Sequence, residues 1–242
     1  LRAQRRENSI GGNVAGAGPG SVMRRGGRKR RLVASAVGLA GEVIGPIEPG
    51  CEIAGLTNGQ FSLIDIIEHV LTATGPADLA VSTWTMGIYD QDRAAAFYRN
   101  GLVRRARWIV DPSMFSRRPE LAGSLVQAFG VSSFRAVNTH AKFAVIVSDH
   151  LAVVVRSSMN MNPNRRIENF DISEDRAMAQ WFMAIVDGFF EHRPAGSAVT
   201  QSEAVFADVL EKFEAIERDS PQPVGDVMSA RVMARNLRRI FD

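Results

Sequence analysis

Residues 143–147 (Phe-Ala-Val-Ile-Val) and 151–155 (Leu-Ala-Val-Val-Val) are apolar at odd and even positions alike, which predicts two strands buried on both faces. The polar triplet Ser148, Asp149 and His150 between them suits the turn of an antiparallel hairpin. Further upstream the period changes. Leu63, Ile64, Ile66, Ile67, Val70 and Leu71 recur at helical spacing behind Ser62, with Asp65 three positions on as a capping partner and Gly75-Pro76 as the stop. The chain then reads as a strand over 77–84, a helix over 90–102, a strand over 105–110, a helix over 119–129 and a strand over 133–137, directly before the hairpin. Beyond it, 167–172 is a short strand that turns Glu168 inward. Ser173, Glu174 and Asp175 open a helix whose buried face is Met178, Trp181, Phe182, Ile185, Phe189 and Phe190.

Alternating strands and helices predict an α/β fold: a mixed, largely parallel sheet flanked by helices on both faces, with the antiparallel hairpin set into it. Sites in such sheets lie at the carboxyl ends of strands, so Trp84, Thr85 and Asp111, each at a strand end, are placed to border one. Residues 41–60 carry Gly-Pro, Pro-Gly and Asn-Gly pairs, which mark turns between short extended pieces, and read as connecting structure. Three regions follow: a basic arm over 1–31, the main α/β domain over 32–194 closed by Pro194-Ala195-Gly196, and a C-terminal helical appendage over 195–242. In the appendage, Val205, Phe206, Val209, Leu210 and Phe213, then Met228, Val232, Met233, Leu237 and Ile240, recur at helical spacing.

The chemistry gathers at the hairpin. Strand alternation puts His140 and Lys142 on one face, and the returning strand brings Arg156, Ser158 and Asn160 back beside them. An imidazole, an ammonium, a hydroxyl and an amide converging at a sheet end make a phosphate site.

At these residues the sequence resembles the phospholipase D superfamily, whose signature is His-x-Lys, an apolar strand, Gly-Ser-x-Asn and a later Glu. The matching positions are His140, Lys142, Ser158, Asn160 and Glu168. The sequence departs from the pattern twice: Ser157 stands at the family's Gly, and the nearest acid after Lys142 is Asp149, in the turn, which receives no role. The form Arg-Ser-Ser-x-Asn followed closely by Ile-Glu is similar to that of phage- and plasmid-type members. The resemblance implies a phospholipase D-like fold and a metal-independent phosphodiesterase without cofactor. In that scheme one His140 forms a phosphohistidine while a second protonates the leaving oxygen, and Lys142, Ser158 and Asn160 hold the non-bridging oxygens. Glu168 orients the imidazole. Members with a single motif complete the site in a homodimer, and this chain has one His-x-Lys with its Ser-x-Asn.

Composition narrows the picture. With 242 residues, 45% of them hydrophobic, the chain is long enough for a substantial core. One cysteine, Cys51, rules out an internal disulfide and fits a reducing, cytoplasmic setting. The four histidines, His69, His140, His150 and His192, lack metal-site spacing, and no metal is expected. Within 1–31 nine Arg or Lys stand against one acid, Glu7, so the net charge of +3 hides a basic arm on an acidic remainder. Such an arm suits a nucleic-acid backbone. Arg28 to Arg31 precede an apolar run, the order of a signal peptide, but the run is rich in Ala and Gly and broken by Glu42, which argues against export. No stretch reaches the length of a membrane span. Arg165 and Arg166, in the loop after Asn160, are candidates for substrate phosphates, and Trp84 for a further substrate contact. Cleavage of nucleic acid, DNA or RNA, is therefore the leading expectation. A phospholipid or small phosphodiester hydrolase and a non-catalytic dimeric nucleic-acid-binding protein are the alternatives.

Overall fold

The computed structural model describes residues 29–117, 126–162 and 164–191. Its elements are β1 (Lys29–Ser35), α1 (Ala40–Ile44), β2 (Cys51–Thr57), α2 (Leu63–Thr74), β3 (Ala77–Thr83), α3 (Ile88–Arg99), β4 (Val103–Val110), α4 (Pro112–Arg117), β5 (Phe134–Ala136), β6 (Phe143–Val147), β7 (Ala152–Ser157), β8 (Glu168–Glu174) and α5 (Arg176–Glu191). The strands form one eight-stranded sheet in the order β1-β2-β8-β7-β6-β3-β4-β5. Pairs β1–β2, β3–β4 and β4–β5 are parallel. The centre is antiparallel, through β2–β8, β8–β7, β7–β6 and β6–β3. The fold is thus the expected mixed α/β sheet with helices, but it is not largely parallel: four of the seven strand pairs among the described residues are antiparallel, because β8 returns to pair with both β7 and β2.

The hairpin lies at the middle of this sheet, and its composition follows from that position. Ala144, Ile146, Val153 and Val155 point into a cluster with α1, α2 and α3, while Val145, Ala152 and Val154 point into a second cluster under α5. All seven are fully buried, and at roughly 1.5–3 kcal/mol for each buried Val or Ile the hairpin is a major contributor to the core. On one side α2 buries Leu63, Ile64, Ile66, Ile67, Val70 and Leu71. Its start is fixed as expected by Asp65, whose carboxylate accepts the Ser62 N–H at 2.7 Å. Asp175 caps α5, accepting from the Met178 N–H at 3.1 Å, and Phe143 and Phe182 pack with ring centroids 4.9 Å apart.

Two further expectations are corrected. Residues 41–60, expected as turns between short extended pieces in connecting structure, hold most of α1 and all of β2, and β2 is an interior strand of the sheet. The turns are there, with Gly45, Gly50 and Gly59 at positive φ, and they bracket that strand. The basic arm also ends earlier than residue 31. Lys29, Arg30 and Arg31 are strand residues, because β2 offers a ladder and acids lie within reach: Lys29 pairs with Glu48 at 2.8 Å, Arg30 with Glu52 at 3.1 Å, and Arg31 donates to the Ile44 and Pro46 carbonyls. The helix expected over 119–129 falls largely outside the described residues, with 126–129 helical, whereas α4 was not anticipated. The arm up to residue 28 and the C-terminal appendage lie outside the described residues. Among the described residues, no helix is long and apolar enough to cross a membrane.

Candidate active site

At one end of the sheet β2, β3, β4 and β7 finish and β6 and β8 begin. In register there, Ser82 faces Phe143, Phe143 faces Arg156, Ser157 faces Phe170, and Thr57 faces Glu168. The hydrogen-bonded ladders run slightly past the named strands. Ser157 N–H donates to the Lys142 carbonyl at 3.0 Å, and Ser158 N–H to the Asn169 carbonyl at 3.1 Å. Lys142, Ser158 and Glu168 therefore stand on neighbouring strand ends.

Lys142 is buried, with 8% of its surface exposed. Its ammonium donates to the His140 carbonyl at 2.8 Å and to His140 Nδ1 at 3.0 Å, so the His140 ring is exposed but held from below. Burial pushes the Lys142 pKa below the ordinary lysine value, and the negative charge of Glu168 works in the opposite direction. With the ammonium donating to Nδ1, a neutral imidazole carries its proton on Nε2. Trp84 flanks the ring, centroid to centroid 6.1 Å.

Glu168 was expected to orient the imidazole; in this chain its carboxylate accepts a hydrogen bond from the Ser158 hydroxyl, which in turn accepts the Asn169 N–H at 3.0 Å. Asn160 sits between the buried Met159 and Met161, and its Oδ1 is buried without a hydrogen-bond partner among the described residues. Met161 is pinned on both sides, its N–H donating to Thr83 Oγ1 at 3.4 Å and its carbonyl accepting the Gly87 N–H at 2.7 Å. This fixes the backbone next to Asn160 to the connection between β3 and α3.

Three residues at this end support the histidine. Ser82 Oγ donates to the Ala141 carbonyl at 2.9 Å and lies 3.3 Å from Thr139 Oγ1, and Asp111 Oδ2 accepts the Thr139 N–H at 3.4 Å. Asp111 was legible as a strand-end acid. Ser82 and Thr139 were not, since small hydroxyl residues give no signal beyond their place at strand ends. Arg165 and Arg166 are exposed, and neither makes an ion pair among the described residues. Asp149 lies at the opposite end of the hairpin, paired with Arg104 at 3.2 Å. A further acid, Asp90 in the first turn of α3, is completely buried, one oxygen accepting from the Ser62 hydroxyl at 3.2 Å and the other without a partner among the described residues. Among the described residues no group of three or more His, Cys, Asp or Glu is arranged to hold a metal ion.

No family model matches the sequence, and no curated protein matches it. Solved structures do. A phospholipase D family member, Nuc, from Salmonella typhimurium is similar at 14% identity with a TM-score of 0.44, over 61% of this chain and 98% of that one. Polyphosphate kinase from Porphyromonas gingivalis is similar at 11% identity with a TM-score of 0.42, over 69% of this chain and 31% of that one.

Proposed function

We propose that this chain is a phosphodiesterase of the phospholipase D type, cleaving nucleic-acid phosphodiester bonds through a phosphohistidine in a site completed by a second copy. The reading rests on one arrangement: the exposed imidazole of His140 held against the buried ammonium of Lys142, with Ser158 and Asn160 alongside at the end of the sheet. The basic arm and the Arg165-Arg166 pair favour a polyanion as substrate.

Attack through Nε2 requires that atom to present a lone pair, so the ring proton must reside on Nδ1. Lys142 therefore has to leave Nδ1 for a phosphate oxygen as the substrate arrives. The Nε2 lone pair then forms the P–N bond while the P–O bond to the leaving group breaks. The leaving oxygen keeps that electron pair and takes a proton from His140 of the second copy. A water molecule next forms a P–O bond as the P–N bond breaks, and its proton returns to the second imidazole. One imidazole cannot be nucleophile and acid in the same step, which is the reason for two copies. Lys142 stabilises the charge that develops on the non-bridging oxygens together with the Asn160 amide, and Ser158 adds a donor when its one hydroxyl proton turns from Glu168 to the phosphate. Glu168 keeps Ser158 in place and supports the positive charge on Lys142. None of these steps calls on a metal.

The test is turnover of bis(p-nitrophenyl) phosphate and of labelled DNA and RNA by the wild type and His140→Ala, with sedimentation across the assay concentrations. Activity should fall by at least about three orders of magnitude in the variant, and wild type quenched in alkaline denaturant should carry a phosphoryl group that survives base and is released by acid. Retained activity in His140→Ala, or full activity from a monomer, would overturn the reading.

A further inference from the structure

Several of the described arginines are neutralised. Arg30, Arg93, Arg104, Arg105 and Arg107 each pair with a carboxylate, on Glu52, Asp65 and Glu68, Asp78 and Asp149, Asp78, and Asp187 respectively. Arg99, Arg156, Arg165 and Arg166 are exposed with no acid pairing them among the described residues, and of these four only Arg165 and Arg166 are neighbours in sequence. Neighbouring free guanidiniums repel each other and remain available to an anion.

Their backbone is held closely. Gly59, in the turn after β2, has φ +72°, and a Cβ built on it would lie 1.8 Å from the Asn164 carbonyl oxygen and 2.9 Å from the Arg166 nitrogen. Only a residue without a side chain allows this approach, on steric grounds and on backbone conformation alike. The turn is itself anchored: Gly59 N–H donates to the buried Thr57 hydroxyl at 3.2 Å, Asn58 N–H to Gln60 Oε1 at 2.9 Å, and Gln60 Nε2 to the Ser35 carbonyl at 3.0 Å. Thr57 faces Glu168 across the β2–β8 ladder. Glu168 in turn holds Ser158. Arg166 lies two residues before Glu168, within about 7 Å along the chain. The arginine pair is thus mounted on the same sheet end as the reacting groups.

We propose that Arg165 and Arg166 form a second anion subsite, which takes a phosphate next to the one being cleaved, and that Gly59 is its positioning residue. The site thereby selects polymeric phosphodiesters over isolated ones. This rests on the phosphodiesterase reading above and adds the substrate's length as the quantity recognised.

The experiment compares wild type, Arg165→Gln/Arg166→Gln, Arg165→Lys/Arg166→Lys and Gly59→Ala on bis(p-nitrophenyl) phosphate and on a single-stranded oligonucleotide. Salt-titrated binding of that oligonucleotide is measured in parallel in a His140→Asn background. For the Gln pair, KM for the oligonucleotide should rise on the order of tenfold with kcat/KM for the small diester unchanged, and the binding slope against log salt should become shallower by about 1.4. Lys should restore most of the slope. Gly59→Ala should show the same split between substrates while both Arg side chains remain. Equal losses on both substrates, or an unchanged slope in the Gln pair, would overturn the subsite. Failure of the wild type to hydrolyse any phosphodiester would remove the reaction, and the binding slopes would still decide the subsite.

Discussion

Replacing Asp90 with Asn should stabilise the protein, and by an amount that depends on pH. Burial pushes the Asp90 carboxyl up to about 6 from its ordinary 3.8; the Ser62 hydrogen bond opposes this and the nearby charge of Asp65 adds to it. The helix dipole favours a negative charge in a first turn by roughly 0.3–1 kcal/mol, too little to offset desolvation. A raised acid binds its proton more tightly in the folded chain than in the unfolded one. Stability is therefore greatest below the unfolded value, declines as pH rises from about 4 to about 6, and is level above that with a penalty of about 3 kcal/mol. Asparagine cannot ionise and escapes the penalty. Urea denaturation of wild type and Asp90→Asn across pH 4 to 8 should show a gap that is small at pH 4 and widens towards about 3 kcal/mol at pH 8, at equal slope against urea. A gap that does not change with pH, or a variant that becomes relatively less stable as pH rises, would refute the reasoning.

Two further outcomes test the site. Glu168→Gln removes the charge that raises the Lys142 pKa against burial. The ammonium should then be lost at lower pH, and the alkaline limb of kcat/KM should move towards acid, whereas an unmoved limb would mean that Lys142 does not set it. Hydrolysis should continue in excess EDTA, because the proposed reaction uses His140 as nucleophile and Lys142 as the positive charge; loss of turnover restored by magnesium would assign the reaction to other chemistry.

Legibility followed burial. The hairpin could be read because both its faces are covered, which leaves an uninterrupted apolar run that no surface strand would carry. The start of α2 could be read from Ser62 and Asp65, since a cap is a local device. β1 and β2 could not. In β1 the outward positions alternate with half-buried ones beside a run of Lys and Arg, and in β2 Glu52, Ala54 and Gly55 dilute the pattern. Their strand character comes from pairing with each other and with β8, which is invisible locally. That His140, Lys142 and Ser158 would gather at one sheet end was legible from strand alternation, and their hydrogen-bond partners were not. Glu168 bonds Ser158 instead of His140 because the β7–β8 ladder continues to Asn169 and sets those two side chains together. Asp90 was hidden for the opposite reason: an acid in the first turn of a helix reads as an ordinary surface residue, and only packing of α3 against the Ser62 end of α2 buries it.

The position of the hairpin within the sheet also governs where the molecule can change over time. β1 and β5 are the outermost strands, and three residues suffice for β5, so fraying, insertion and drift fall first on the margins. His140, Lys142 and Ser158 are attached to the ends of β6 and β7, which are flanked by further strands on both sides and covered above and below. A lineage could therefore exchange its rims, and with them its surfaces for partners, while the reacting groups keep their spacing.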